Sequence, residues 1–137
     1  MAGRELQSSA TKMEPLLVLI VDDEEAIAET LADFLADFGY TAVIASNGEQ
    51  ALNMARQHWP RLLLTDLMMP HLNGIDLITA LRSEAAAKKI DPPFIVLLTA
   101  AGRRAAERTG ADVVILKPFE LEQIEQVLQQ LPKHSAS

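Results

Sequence analysis

The sequence predicts an α/β fold, a (βα)5 chain that forms a doubly wound, parallel five-stranded sheet. Short, continuous apolar runs are the first observation behind this prediction: Leu16–Val21, Thr41–Ala45, Leu62–Thr65, Phe94–Leu98 and Val113–Leu116. Runs of this length without polar alternation are typical of strands buried on both faces, as in a parallel sheet. Segments with helical spacing follow the runs, and right-handed crossovers place such helices on both faces of the sheet.

Turn residues and helical spacing justify the elements in order. Pro60, Pro92, Gly39 and Gly110 separate the apolar runs, which favours strands over pieces of buried helix. The first predicted helix runs from Ile27 to Phe38, with Gly39 as the stop, and the second enters at Ser46–Glu49 and continues through Ala51, Leu52 and Ala55. The third covers Gly74–Ala87, with Ile75, Ile78 and Leu81 apolar. The last two cover Arg103–Thr109 and Leu121–Leu131.

Composition limits the class of protein. The chain has 137 residues, of which 49% are hydrophobic and 23% charged, so one domain with a real core is expected. We expect residues 1–14 to be a disordered leader, residues 15–131 to be the folded domain, and residues 132–137 to be a short polar tail. Because the sequence lacks cysteine, it excludes a disulfide framework and a cysteine-based metal site.

Charge and hydropathy suggest where such a protein works. The formal net charge is −7, and an acidic chain without a basic stripe is a poor candidate for direct nucleic-acid binding. Met1 to Met13 contains no apolar segment of a secretory signal, and Leu16–Val21 is too short to span a bilayer. We therefore expect a cytoplasmic protein with no membrane contact.

Polar residues follow the predicted strands at their carboxyl ends, where open α/β sheets bind ligands. Asp22, Asp23 and Glu24 follow the first strand, Asp66 ends the third, Thr99 the fourth and Lys117 the fifth. Clustered carboxylates repel one another, and a divalent cation such as Mg²⁺ resolves that conflict with oxygen ligands. A carboxylate nucleophile can then attack phosphorus, while a lysine and a hydroxyl stabilise the phosphoryl oxygens.

Each of these residues also has an ordinary structural interpretation. Asp22, Asp23 and Glu24 could cap the first helix, where acids favour the positive end of the helix dipole. Asp66 could be a turn residue, and a threonine or a lysine that ends a strand is unremarkable alone. The conjunction favours chemistry, because four separate strand ends carry the residue types that one reaction needs.

Four motifs in this order resemble the response-regulator receiver family of two-component signalling. They are VDDEE at Val21–Glu25, DLMMP at Asp66–Pro70 followed by Asn73-Gly74, LLTA at Leu97–Ala100, and LKPF at Leu116–Phe119. The resemblance runs from about Leu16 to Leu131 and implies a flavodoxin-like receiver fold.

The resemblance also implies a role for each site residue. Asp66 would be the phosphoacceptor, with Thr99 as the switch hydroxyl and Lys117 as the cation that pairs with the phosphoryl group. Asp22, Asp23, Asp66 and the backbone carbonyl of Met68 would hold Mg²⁺. The bond between Lys117 and Pro118 is commonly cis in the family.

The implied function is a phosphorylation-dependent switch that catalyses only its own phosphorylation and dephosphorylation. The expected phosphodonor is a sensor histidine kinase or a histidine phosphotransfer protein, with Ala26, Ile27, Thr30 and Leu31 as contact candidates; the downstream protein target is unknown. The motifs of an output domain are absent from this sequence, so a stand-alone regulator and a piece of a larger one both remain open. The alternatives are a receiver-like adaptor that works without phosphorylation and an Asp/Mg²⁺ phosphatase, although the latter carries an acid where this chain has Met68.

Three departures from the family pattern bear on how the signal leaves the site. Val114 stands where an aromatic residue usually reports phosphorylation, and the span from Thr99 to Lys117 is about one helical turn short. We therefore predict an output that does not use the aromatic relay. Met68 and Ala101 cannot orient an attacking water, which predicts slow hydrolysis of the acyl phosphate. The compact basic cluster at Arg103, Arg104 and Arg108 is interpreted as a solvated helix face, or as a docking surface for an acidic partner.

Overall fold

The structure, a computed structural model, describes residues 16–68, 72–100, 104 and 109–131. The predicted leader and tail lie outside these residues. So does most of the predicted helix at Arg103–Thr109, of which Arg104 is exposed and Thr109 lies in a turn. Among the helices in the described ranges, none is long and apolar enough to cross a membrane.

Strands and helices alternate through the fourth strand, as the sequence predicts, and a helix follows the fifth strand; the helix predicted between these two strands lies mostly outside the described residues. The strands are β1 (Leu16–Val21), β2 (Tyr40–Ala45), β3 (Leu62–Asp66), β4 (Phe94–Thr99) and β5 (Val113–Leu116). The helices are α1 (Glu25–Ala36), α2 (Gly48–Gln57), α3 (Gly74–Lys88) and α4 (Leu121–Gln130). Asn47 and Asn73 begin α2 and α3, and each side chain accepts a hydrogen bond from a backbone N–H of the first turn.

The five strands form one parallel sheet in the order β2-β1-β3-β4-β5. The chain leaves β1 toward β2 on one side and returns to β3 on the other. The connections that follow β1 and β3 therefore diverge and leave a crevice at the carboxyl ends of these two neighbouring strands. This is the predicted fold, and it brings the residues after β1 close to the end of β3.

Strand residues alternate between two apolar layers, one on each face of the sheet. In β1, Leu19 and Val21 pack against α2 and α3, while Val18 and Ile20 pack against α1 and α4. All four are at most 2% exposed. Burial on both faces explains why the strands have continuous apolar runs rather than alternating ones.

Two apolar residues of the predicted helical patterns are exposed. Helix α1 ends at Ala36, so Phe38 lies in the following turn, where it is 43% exposed and its ring contacts that of Phe34. Ile75 lies on α3 but is 41% exposed. At 100° per residue it falls to the side of the face that buries Leu77, Ile78 and Leu81.

Candidate functional site

The predicted site residues meet at the carboxyl edge of the sheet. Asp22 directly follows β1 and Asp66 ends β3, and these two strands are neighbours. In the register of β3 with β4, Asp66 pairs with Leu98, which places Thr99 one residue farther along. Thr99 pairs with Leu116 of β5, so Lys117 follows at the same edge. The predicted convergence is therefore confirmed for these four positions.

Three carboxylates form a compact cluster at this edge. Ligand oxygens of Asp22, Asp23 and Asp66 all lie within 4.8 Å of one another. Asp22 is buried, Asp66 is partly buried and Asp23 is exposed. Oxygen donors at this spacing, open to solvent on one side, suit a divalent cation that keeps some of its water ligands.

The ammonium of Lys117 lies against two of these carboxylates and against Glu24. Its Nζ is 3.1 Å from Oδ2 of Asp22, 3.3 Å from Oδ2 of Asp66 and 3.4 Å from Oε1 of Glu24. The Lys117 side chain is 12% exposed and that of Asp22 is 1% exposed, whereas that of Glu24 is 61% exposed. Lys117 therefore compensates part of the negative charge from within the site.

Local hydrogen bonds hold the two inner carboxylates in place. Oδ1 of Asp22 accepts the backbone N–H of Glu24 at 2.9 Å, and Oδ1 of Asp66 accepts the backbone N–H of Leu67 at 2.7 Å. In each carboxylate the other oxygen faces Lys117. Each aspartate thus binds a backbone N–H of the loop that follows it and also presents an oxygen to the shared site.

The helix-capping interpretation of the first acidic run fails for Glu24. This residue occupies the N-cap position of α1, yet within the described residues its side chain accepts no capping hydrogen bond. It turns instead toward Lys117. Glu25, in the first turn, remains available to interact with the helix dipole.

Burial and charge shift the pKa values of two site residues. Burial raises the pKa of Asp66, and the nearby Asp22 adds to that effect, while Lys117 opposes it. Burial alone would lower the pKa of Lys117, but its hydrogen bond to Asp22 and the charge of Asp66 outweigh burial and raise it. At neutral pH the lysine stays charged, and the site stabilises the charged form of the Asp66 carboxylate less well than water does.

Two glycines allow the loop after Asp66 to pack closely on its surroundings. A Cβ on Gly74 would lie 2.5 Å from the carbonyl oxygen of Asp66, and the N–H of Gly74 donates to Leu67. A Cβ on Gly48, at the start of α2, would lie 2.1 Å from the carbonyl oxygen of Leu72. Any larger residue at either position would push this loop away from the site.

Other predicted residues have the following positions. Met68 follows Asp66 by two residues and is 71% exposed; a role for its carbonyl stays a prediction. Thr99 is buried at the end of β4. Val114 is partly buried and packs against the core layer of α2 and α3. Ala101, Arg103 and Arg108 lie outside the described residues.

A groove adjoins the lysine side of the site. It encloses about 590 Å³ and lies between the start of α1 and the chain that joins β5 to α4, where the bond between Lys117 and Pro118 is cis as predicted. The four helix residues expected to contact a phosphodonor all line it. The lining residues are Glu24, Ala26, Ile27, Thr30, Leu31, Ala100, Lys117, Pro118, Phe119 and Leu121.

Sequence reasoning missed two features of this site. The third partner of Lys117, Glu24, was left among possible capping residues, and an acidic side chain near a helix start gives no signal that separates the two roles. Gly48 was assigned only to the entry of a helix. Its contact with Leu72 is long-range, so no local pattern could reveal it.

Comparison with known proteins places this arrangement in a family. The family model of the response regulator receiver domain matches residues 18–129. Response regulator Rre1 of Synechocystis sp. is 32% identical over 123 residues, which cover 86% of this chain and 52% of the relative. Response regulator MprA of Mycobacterium sp. is 34% identical over 113 residues, which cover 80% of this chain and 47% of the relative. The chain thus spans about half the length of these curated relatives.

Solved structures agree with the sequence comparison. Chemotaxis response regulator CheY4 of Vibrio cholerae superimposes with a TM-score of 0.74 at 27% identity, over 86% of this chain and 99% of that one. The receiver domain of Ssk1 from Saccharomyces cerevisiae, crystallised with the histidine phosphotransfer protein Ypd1, gives a TM-score of 0.78 at 26% identity, over 85% and 88%. The fold, the carboxylate and lysine edge, and the family match over residues 18–129 lead to one conclusion: the chain belongs to the response regulator receiver domain family.

Proposed function

We propose that this chain is a phosphorylation-dependent switch in which Asp66 accepts a phosphoryl group with the help of Mg²⁺. The observation that carries the proposal is the convergence of Asp22, Asp23, Asp66 and Lys117 at the carboxyl edge of the sheet. Phosphoryl acceptance explains why these acids and a lysine lie together better than helix capping does.

The charge balance at this edge of the sheet supports binding of a divalent cation. Three clustered carboxylates and Glu24 face a single ammonium, so the site carries an excess of negative charge. Asp22 is buried, and burial raises the pKa of Asp66, so a bound cation would favour the charged form of the cluster. Asp22, Asp23 and Asp66, with the carbonyl of Met68 by resemblance, would hold Mg²⁺, which would supply positive charge to the phosphoryl oxygens.

In the proposed phosphoryl transfer, Asp66, Lys117 and Thr99 have separate roles. An oxygen of Asp66 forms a bond to phosphorus as the bond between phosphorus and the donor breaks, and the bonding electrons leave with the donor group. The ammonium of Lys117, already within 3.3 Å of Asp66, pairs with the negative charge that arrives. The hydroxyl of Thr99 is the second proposed partner of the phosphoryl oxygens.

The proposed phosphodonor is a histidine kinase or a histidine phosphotransfer protein. A solved receiver similar to this chain was crystallised with such a phosphotransfer protein. The groove beside Lys117 offers an apolar surface next to the acceptor, lined by Ala26, Ile27 and Phe119. A donor helix that docks there would bring a phosphohistidine toward Asp66.

The proposal makes the chain a switch rather than an enzyme that turns over external substrates. It would catalyse its own phosphorylation and dephosphorylation, and its downstream protein target is unidentified. With Val114 in place of an aromatic residue, the proposed output does not depend on a ring that changes rotamer.

The test is phosphorylation by acetyl phosphate with Mg²⁺, followed by mass measurement of the intact protein. A single phosphoryl adduct is expected, with acetate as the leaving group. The adduct should be absent in Asp66→Asn and retained in Asp33→Asn, which removes an exposed carboxylate from the middle of α1. Chelation of Mg²⁺ should prevent adduct formation.

Three results would contradict the proposal. Absence of an adduct, together with failure to bind beryllofluoride, would favour an adaptor that works without phosphorylation. An adduct that survives in Asp66→Asn would place the acceptor elsewhere. Steady turnover of a generic phosphomonoester would favour the phosphatase alternative.

A further inference from the structure

Glu24 is a member of the Lys117 ion-pair network that the proposed chemistry does not use. It occupies the N-cap position of α1 with extended backbone angles (φ −92°, ψ 100°), but within the described residues its side chain makes no capping bond. Oε1 instead lies 3.4 Å from Nζ of Lys117. The side chain therefore binds the lysine and does not make the hydrogen bond with which an N-cap residue usually stabilises its helix.

The three carboxylates around Lys117 differ in what else holds them. A lysine ammonium has three donor hydrogens, and Asp22, Asp66 and Glu24 supply three acceptors for them. Asp22 and Asp66 also belong to the carboxylate cluster that fits a cation, whereas Glu24 lies outside that cluster. Glu24 is therefore the acceptor whose contact with the lysine does not depend on the carboxylate cluster.

A phosphoryl group on Asp66 needs the same ammonium. The Lys117 side chain is only 12% exposed, so few directions remain for a new acceptor to approach it. A phosphoryl oxygen must therefore replace one of the present carboxylates or share a donor hydrogen with it.

We propose that Glu24 is a positioning residue that restrains Lys117 in the unphosphorylated protein and competes with the phosphoryl group for its ammonium. This inference rests on the proposed phosphorylation of Asp66. Its consequence is a bias toward the unphosphorylated state, set by a residue outside both the acceptor and the cation cluster.

Exposure limits the size of the effect. The Glu24 side chain is 61% exposed, so solvent screens its pairing with Lys117 much as in a surface ion pair. Loss of such a pair corresponds to a change in equilibrium constant of about two- to fivefold. We therefore expect Glu24→Gln to bind beryllofluoride, a phosphoryl mimic, about two to five times more tightly than the natural protein at saturating Mg²⁺.

Two further variants separate the contact from a general charge effect. Glu25→Gln removes the same charge one residue later, from an exposed position in the first turn of α1. Glu24→Asp keeps the charge but shortens the side chain by one methylene group, which withdraws it from Lys117. If contact matters, Glu24→Gln and Glu24→Asp both tighten beryllofluoride binding, and Glu25→Gln stays within about 1.5-fold of the natural protein.

The measurement is the dissociation constant for beryllofluoride by titration calorimetry, with the Mg²⁺ dissociation constant measured separately in each variant. The NMR signal of the Lys117 side chain provides a readout that a purely structural role would not move. It should shift in the absence of ligand in both Glu24 variants and stay in place in Glu25→Gln. Chemical denaturation checks that all variants are folded.

The outcomes distinguish this inference from the function on which it rests. If the natural protein binds no beryllofluoride, the proposed function fails and takes this inference with it. If the natural protein binds but both Glu24 variants match it, only the restraint by Glu24 is refuted. Tightening in Glu24→Gln and Glu25→Gln alike, with Glu24→Asp unchanged, would show a general charge effect and also refute it, as would weaker binding in either Glu24 variant.

Discussion

Replacing Lys117 with methionine removes the positive charge from the site while nearly keeping the length of the side chain. Asp22, with a side chain 1% exposed, and Asp66, 14% exposed, then lose the cation that lies 3.1 and 3.3 Å from their oxygens. Two largely buried carboxylates would face each other without compensation. We expect Lys117→Met to fold with clearly lower stability when divalent cations are absent.

The distances allow the size of this loss to be worked out. At an effective dielectric constant of about 20, each contact contributes roughly 5 kcal/mol of gross attraction. The cost of desolvating the ions offsets most of this sum, and removal of one partner from a buried pair typically costs about 3 to 5 kcal/mol. Because Asp66 can relieve the repulsion by taking up a proton, we expect the low end, about 3 kcal/mol in the free energy of unfolding at neutral pH.

The assay is urea denaturation in EDTA and again with increasing Mg²⁺. Without Lys117, a divalent cation no longer competes with the ammonium for Asp22 and Asp66, so we expect Lys117→Met to bind Mg²⁺ about ten times more tightly. A cation at ten times its dissociation constant stabilises the folded state by about 1.4 kcal/mol, so Mg²⁺ should restore part of the loss. Lys88→Met is the control, because Lys88 is 54% exposed, and its 3.8 Å pair with Glu84 should contribute less than about 1 kcal/mol.

The reasoning fails if Lys117→Met loses less than about 1 kcal/mol in EDTA, since that is the range of an exposed ion pair. It also fails if Mg²⁺ stabilises Lys117→Met no more than it stabilises the natural protein at equal concentration. Either result would mean that Lys117 does not compensate the carboxylates in the folded state.

Three other predictions concern single residues of the site. Folding raises the pKa of Asp66, chiefly through burial, so above the usual value of 3.8 the folded state binds more protons than the unfolded state. Stability therefore falls as pH rises through that window. Urea denaturation without divalent cations should find Asp66→Asn more stable than the natural protein at pH 7, and this advantage should be lost near pH 3. Gly48→Ala should lose about 1 to 3 kcal/mol of stability by denaturation and should also weaken Mg²⁺ binding, because its Cβ meets the carbonyl of Leu72. Gly39→Ala is the control: it has open space among the described residues but a φ of +87°, so it should lose about 1 kcal/mol and leave Mg²⁺ binding unchanged. Met68→Asn should speed loss of the phosphoryl group by about tenfold in a mass-spectrometric time course, since an amide can orient water. Its stability should stay within about 0.5 kcal/mol of the natural protein, because Met68 is 71% exposed. An unchanged rate would refute the slow-hydrolysis hypothesis.

The fold was predictable because its central strands β1, β3 and β4 are buried on both faces. Such strands need apolar residues at every position, and the resulting runs matched the observed strands to within one residue at either end. Helix ends were less predictable, because the apolar spacing that defines a helix continues into the next turn. Phe38 illustrates this, since it continues the spacing of α1 but packs on Phe34 from outside the helix.

The site was predictable only at the level of positions. The rule that strand ends share one edge brings Asp22, Asp66, Thr99 and Lys117 together without any knowledge of distances. It does not say which acids bind the lysine, because that depends on side-chain reach and on what else each acid could do. From the sequence, Glu24 could cap its helix or bind Lys117, and only the packed structure shows that it binds Lys117.

Accessibility and contact with Lys117 separate Asp66 from Asp22 and Asp23 and support it as the proposed phosphoacceptor. Asp22 has one oxygen on the N–H of Glu24 and the other on Lys117, and with a side chain 1% exposed it leaves no path for a phosphodonor. Asp23 is exposed but, as far as the described residues show, lies outside the Lys117 network, so an incoming negative charge would find no ammonium beside it. Asp66 is 14% exposed, more than Asp22, and it contacts the lysine directly, while burial raises its pKa. A group that is costly to keep ionised gains most from a cation or from conversion to an acyl phosphate paired with Lys117, so the features that weaken the fold at Asp66 would favour its proposed reaction.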